Sequence, residues 1–97
     1  MRVIAIKPLR EFWEQNHDAE VALRAWVAEA KNANWQKPSD IKKKFGSVSI
    51  IANNRAIFNI SGNKYRLVVA IKYDFQLIYI RFIGTHKQYD KINAKEI

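Results

Sequence analysis

The apolar positions of this chain recur with two different periods, and the change between them falls near the middle. Residues 2–6 alternate weakly and predict a short strand, with Val3 and Ala5 on one face and Ile4 and Ile6 on the other. Pro8 suits a first helical turn, and Leu9, Phe12, Trp13 and Asn16 follow at helical spacing. Asn16 or Asp18 can cap what comes next. Residues 19–33 place Ala19, Ala22, Leu23, Trp26, Val27, Ala30 and Ala33 on one stripe, with Glu20, Arg24, Glu29 and Lys31 off it. This spacing predicts an amphipathic helix, and the N-terminal half as a whole predicts a helical hairpin lying on a flat surface. Residues 34–46 form a connector in which Pro38-Ser39-Asp40 starts a short helix that runs through Phe45 and ends at Gly46.

From Ser47 the period becomes two. Strands are predicted at about 47–52, 55–60, 64–73 and 76–84, punctuated by Asn53-Asn54, Gly62-Asn63 and Asp74-Phe75. Thr85-His86-Lys87-Gln88 fits a capping box, so a last short helix over 86–92 is expected. The expected class is α+β: an N-terminal helical hairpin packed on a small curved antiparallel β-sheet, with a short C-terminal helix. Ninety-seven residues are too few for two independent cores, so one domain, 1–97, is expected.

Strand parity assigns the faces of that sheet. With Gly62-Asn63 as a two-residue turn, Ile60 opposes Tyr65 and Asn59 opposes Arg66. With Asp74-Phe75 as another, Val68 opposes Arg81 and Leu67 opposes Phe82. Opposed residues share a face. One face then carries Phe58, Ile60, Tyr65, Leu67, Val69, Ile71, Ile78, Ile80 and Phe82, which is the core side. The other carries Asn59, Arg66, Val68, Ala70, Lys72, Tyr79, Arg81 and Ile83.

Composition gives this second face a meaning. Lys plus Arg total 17 against 9 Asp plus Glu, a net charge of +8. The excess calls for an anionic partner, and the basic residues of the second half are interleaved with core positions rather than gathered in a disordered arm. The run Lys42-Lys43-Lys44 reads first as a solvated helix face. Cysteine is absent, which excludes disulfides, Cys-based zinc sites and thiol nucleophiles. No signal peptide and no run near ~20 apolar residues is present, so a cytoplasmic protein without a membrane role is expected.

On the basic face, Arg66 and Arg81 come from adjacent strands one diagonal step apart. Two guanidinium groups so held form a fork for a phosphate. The chain then runs directly into the tail, where His86, Tyr89 and Asp90 share one helical face. His titrates near neutral pH, and both His and Tyr serve as general acids or bases. Taken singly, His86 reads equally as a surface imidazole and Tyr89 as a packed aromatic. This set, with lysines and without a metal-ligand cluster, suits cleavage of RNA. The substrate brings its own nucleophile, the 2′-hydroxyl. The protein must hold the phosphate, stabilise its growing charge and move two protons. No cofactor or metal is expected. The few scattered carboxylates speak against a two-metal nuclease, and no nucleotide-binding or hydrolase motif is found.

The segments FNISGNKYRLVVAIKY and IYIRFIGTHKQYDKI, with WQKPSDIKKKFG in the connector, closely resemble the HigB family of bacterial toxins, type II toxin–antitoxin endoribonucleases of the RelE superfamily. The resemblance covers nearly the whole chain and is most specific in FNI-GN-YR and GTH--YD. It implies the RelE-like fold, cleavage of mRNA on the translating ribosome, and a 2′,3′-cyclic phosphate or 3′-phosphate product. It also implies a helix-turn-helix antitoxin of the HigA type as partner, with operator DNA bound only through that antitoxin. Matched onto this sequence, the motif arginines are Arg66 and Arg81 and the tail residues are His86 and Tyr89. Lys64, His86, Lys87 and Tyr89 are all eligible as the base. Asn59, Lys64, Lys72 and Lys87 are expected to hold neighbouring RNA backbone. The rivals are a non-catalytic RNA- or ribosome-binding module of the same fold and a module that meets an acidic protein.

Overall fold

A computed structural model describes all 97 residues, Met1–Ile97. Its elements follow the order β1 (Arg2–Ile4), α1 (Lys7–Gln15), a helical turn at His17–Ala19, α2 (Glu20–Asn32), α3 (Pro38–Lys44), β2 (Ser49–Ile51), β3 (Arg55–Ile60), β4 (Tyr65–Lys72), β5 (Leu77–Thr85) and α4 (His86–Tyr89). The predicted hairpin, connector helix, four C-terminal strands and tail helix are all present. The tail helix stops at Tyr89, short of the expected 92.

The five strands form one sheet in the order β1-β5-β4-β3-β2. The expectation of a purely antiparallel sheet is corrected at one edge, because β1 pairs with β5 in parallel. Residues 5–76 make the long crossover that a parallel pairing needs. The alternation of residues 2–6 carried no information about that partner.

The helices pack on one face of the sheet. Leu9, Trp13, Leu23, Trp26, Val27 and Ala30 from the hairpin meet Phe58, Ile60, Tyr65, Leu67, Val69, Ile71 and Ile78 from the sheet, all buried. At the centre Phe58 sits edge-on to Trp26 and Phe45, at 5.3 and 5.1 Å between ring centroids. It stacks more loosely on Trp35 at 6.5 Å. All three tryptophans are buried, so they belong to the core and not to a nucleic-acid surface.

The hairpin corner is clamped to the β3–β4 turn. Asp18 receives the Tyr65 hydroxyl at 2.7 Å and pairs with the Lys64 ammonium, and Ser61 Oγ donates to the Asp18 carbonyl at 2.8 Å. The Lys64 hydrogen bond, then that of Tyr65, holds the Asp18 carboxyl below its ordinary value. Asp18 in turn raises Lys64 and Tyr65. A lowered folded carboxyl stabilises the fold above the usual carboxylate range and loses that contribution as pH falls through the folded value. Asp18→Asn should therefore lower the urea midpoint at neutral pH, and the gap to the parent should close in acid. A gap that stays constant with pH would contradict the clamp. The contribution is modest, because the carboxylate and ammonium are exposed.

Candidate functional site

The register of β3 on β4 matches expectation, with Asn59 opposite Arg66 and Ile60 opposite Tyr65. That of β4 on β5 matches for half its length. Lys72 opposes Leu77, Ile71 opposes Ile78 and Val69 opposes Ile80, after which a bulge inserts Arg81 and Val68 opposes Phe82. The expected two-residue turn at Asp74-Phe75 is instead a helical turn over Tyr73–Phe75 followed by Gln76 in the left-handed conformation. The bulge has two consequences, neither encoded in strand alternation. Phe82 leaves the core face and packs with Ile57 and Val68 on the other side, while Ile83 joins the main core. These two expectations are thus exchanged. Because both residues are apolar, the shift carries no charge into the core.

The second consequence concerns Arg81. It is not one diagonal step from Arg66. Arg66 opposes Gly84, and Arg81 lies three residues away on β5, a Cα separation of roughly 10 Å. Two extended arginine side chains are together long enough to bridge that distance. Arg81 is exposed, with its guanidinium carbon 5.5 Å from the Tyr79 ring centroid. Tyr79 was assigned to this face but not to a role.

Arg66 is held more firmly. Its guanidinium carbon lies 4.7 Å from the centre of the Tyr89 ring, so the tail helix puts an aromatic plane beside the strand's cation. That helix is fixed by the predicted capping box: Gln88 N–H donates to Thr85 Oγ1 at 3.2 Å, and Thr85 N–H donates to Gln88 Oε1 at 2.9 Å. The close approach requires glycine at 84, where an added Cβ would lie 2.5 Å from Gln88 Oε1 and 2.7 Å from the Phe82 ring. Tyr89 also packs beside Phe82, 6.4 Å between ring centres.

His86 begins the same helix, immediately after the Tyr65–Thr85 rung. Its Nε2 is buried without a hydrogen-bond partner, as is Arg66 Nε. A polar atom left this way costs about 1–3 kcal/mol. Trp26 Nε1 and Arg55 Nε share that state, so it does not by itself mark a site. Lys87 is exposed on α4, and Asn59 is half-buried beside Arg66.

Two expected RNA contacts fall outside this cluster. Lys64 is paired with Asp18 at the hairpin corner. Lys72 shares the face of Arg66 but lies six residues along β4, roughly 20 Å away.

The face is also less open than its parity suggests. Beyond α4 the chain folds back across β3 and β2, where Ala94 is buried against Ile57 and Val68, with Ile92 and Ile97 beside them. Arg55 Nη2 donates to the Ile97 backbone oxygen at 2.5 Å, and Asn53 Nδ2 to the Lys95 carbonyl at 3.0 Å. Sequence reasoning missed this cover. Ile92, Ala94 and Ile97 were its only signal, and they match no helical or strand period. What the tail leaves open is the β5 side of the face, with Tyr79 half-buried and Arg81 exposed, while Arg66 on β4 lies at its border under Tyr89.

The arrangement sets the Arg66 guanidinium over the Tyr89 ring and the exposed Arg81 over the Tyr79 ring, with His86 opening the short helix that carries Tyr89. The pattern of a family described as "HigB_toxin, RelE-like toxic component of a toxin-antitoxin system" matches residues 19–92. The "mRNA interferase toxin HigB" of Escherichia coli (strain K12) is 32% identical over 92 residues, which are 93% of this chain and 86% of that protein. The "mRNA interferase HigB" of Shigella flexneri is similar to the same extent, 32% over 92 residues.

Proposed function

The chain belongs to the HigB family of RelE-like toxins, and from that premise we propose that it is an endoribonuclease that cleaves mRNA by attack of a 2′-hydroxyl on the adjacent phosphate. The observation that carries the reading is Arg66, held over the Tyr89 ring on the sheet face that also carries Tyr79 and, beside it, Arg81. Two fixed guanidinium groups hold the scissile phosphate in line and stabilise the charge that grows on its oxygens. His86 and Tyr89 take the acid/base or substrate-orienting roles. Tyr89 carries a second duty here, since its ring lies against the Arg66 guanidinium. Asn59 and Lys87 hold neighbouring backbone. No metal enters the scheme, because the cluster offers cations and proton carriers rather than a ligating set. DNA lacks the 2′-hydroxyl and is not a substrate.

The antitoxin partner follows from the family's description. That it is a HigA-type helix-turn-helix protein, that operator DNA is reached only through it, and that cleavage occurs on the translating ribosome in the cytoplasm are parts of the same proposal. No helix of the protein is long and apolar enough to cross a membrane.

Inducible expression tests the reading. Expressed alone, the protein should arrest growth and create new mRNA 5′ ends, and co-expression of the neighbouring antitoxin gene should abolish both. Arrest without new ends would favour a ribosome-binding module instead. Neither arrest nor ends would overturn the toxin reading.

A further inference from the structure

We propose that the β4–β5 turn is a second RNA-contact point, at which Phe75 stacks on a base and Lys72 and Arg2 hold phosphates of the same strand some distance from the cleaved link. The proposal rests on the reading of the protein as an RNA-cleaving enzyme and extends its substrate from a single link to a length of single strand.

Phe75 is 73% exposed, the most exposed aromatic ring of the molecule. The turn that presents it is pinned. Gln76 adopts a left-handed backbone, and its side-chain amide donates to the carbonyls of Trp35 at 2.8 Å and Tyr73 at 3.1 Å. Arg2 N–H donates to the Gln76 carbonyl at 2.9 Å, so β1 starts against the same turn. Tyr73 packs against the main core. An exposed ring on a fixed turn suits base stacking, since the backbone that presents it has little freedom left to lose when the base arrives.

The cations are placed by register. Arg2 opposes Leu77 on one side and Lys72 opposes it on the other. Cross-strand partners share a face, so Arg2 and Lys72 flank Leu77 on the side that carries Arg66, about 10 Å apart across two strand spacings. Both are exposed and neither has a carboxylate partner. Between this rung and Arg66 lie Tyr79 and Arg81, on the part of the face the tail leaves open. A strand held at Arg66 and Arg81 therefore has a continuous path along β5 to the turn. Beside Phe75, a recess of about 290 Å³ is lined by Asn54, Lys72, Tyr73 and Asp74. Asp74 also lines the recess, and burial, then the nearby Asp40, raise the Tyr73 hydroxyl above its ordinary value. The cations that a strand would meet here are therefore Lys72 and Arg2 on the Arg66 face rather than a general positive excess.

The test uses the full-length protein and two single-stranded RNA probes with 2′-O-methyl riboses, which the proposed chemistry does not cut. One probe spans only the cleavage site and the other is long enough to reach the turn. The parent should bind the long probe more tightly. Phe75→Ala should weaken the long probe by about tenfold and leave the short one unchanged, and Phe75→Trp should restore it. Lys72→Ala should weaken the long probe and lower its salt slope by about one. Equal affinities of the parent for both probes would overturn the proposal. So would unchanged binding of the long probe by Lys72→Ala/Phe75→Ala, or an equal loss on both probes. Arg66→Ala separates the two readings: it should weaken both probes, and if the short probe binds as before, the cleavage-site assignment fails while the turn stands or falls on Phe75.

Discussion

Arg66→Ala is expected to lower single-turnover mRNA cleavage by at least about 10²-fold, the scale of losing one preorganised charge-stabilising group. The variant should still fold, because Arg66 is half-buried on the face away from α1 and α2 and outside the main core. Arg66→Lys should not restore the rate. An ammonium on a flexible stem does not offer two parallel donors to a phosphate. Tyr89 is partly a positioning residue, and Tyr89→Phe distinguishes its two duties: it keeps the ring and removes the hydroxyl. Arg81→Ala should fall by a similar factor, and with less risk to structure, since its side chain is exposed. Cleavage by either arginine variant at the parent rate would remove the fork from the mechanism.

The second large effect is on stability. Phe58→Ala should lower the free energy of unfolding by about 3–5 kcal/mol, the usual range for removing a buried aromatic ring. Phe58 is 2% exposed and touches Trp26, Trp35 and Phe45, so one truncation opens a cavity where α2, the connector, α3 and β3 meet. Small domains hold about 5–15 kcal/mol in total, so the variant should sit near the limit of folding at growth temperature. Urea unfolding reads the loss directly as a shift in midpoint at constant slope. A loss below about 1 kcal/mol would mean that the rings around Phe58 close the cavity by repacking.

These two residues also mark what the sequence made legible. Phe58 was placed in the core by parity alone, because β3 and β4 are joined by a tight turn and alternate without interruption. Arg66 was placed on the opposite face by the same argument, with Asn59 as its neighbour. The capping box at Thr85 and Gln88 was legible because its side chains bond to backbone within a single turn. Arg81 was misplaced because a bulge adds one residue without disturbing the local mixture of apolar and charged types. On either side of it, Ile80, Phe82 and Ile83 are all apolar, so no charge signalled the change. The parallel pairing of Arg2–Ile4 with β5 and the return of the tail across β3 depend on contacts between distant segments. Three-residue strands and irregular tails have no period by which to announce such contacts. Lys64 was a candidate for RNA because a lysine beside a turn reads as free. Its partner Asp18 lies 46 residues earlier, and only the fold brings them together.

The central claim is that this face cuts RNA with the substrate's own 2′-oxygen. The most direct measurement is cleavage of a ribosome-bound mRNA beside the same mRNA carrying a single 2′-deoxyribose on the 5′ side of the mapped link, in both cases with the purified protein. The account predicts a 2′,3′-cyclic phosphate or 3′-phosphate end on the all-ribose mRNA and no cut at the substituted link, with cutting elsewhere unchanged. Cleavage of the deoxy-substituted link at the parent rate would contradict it.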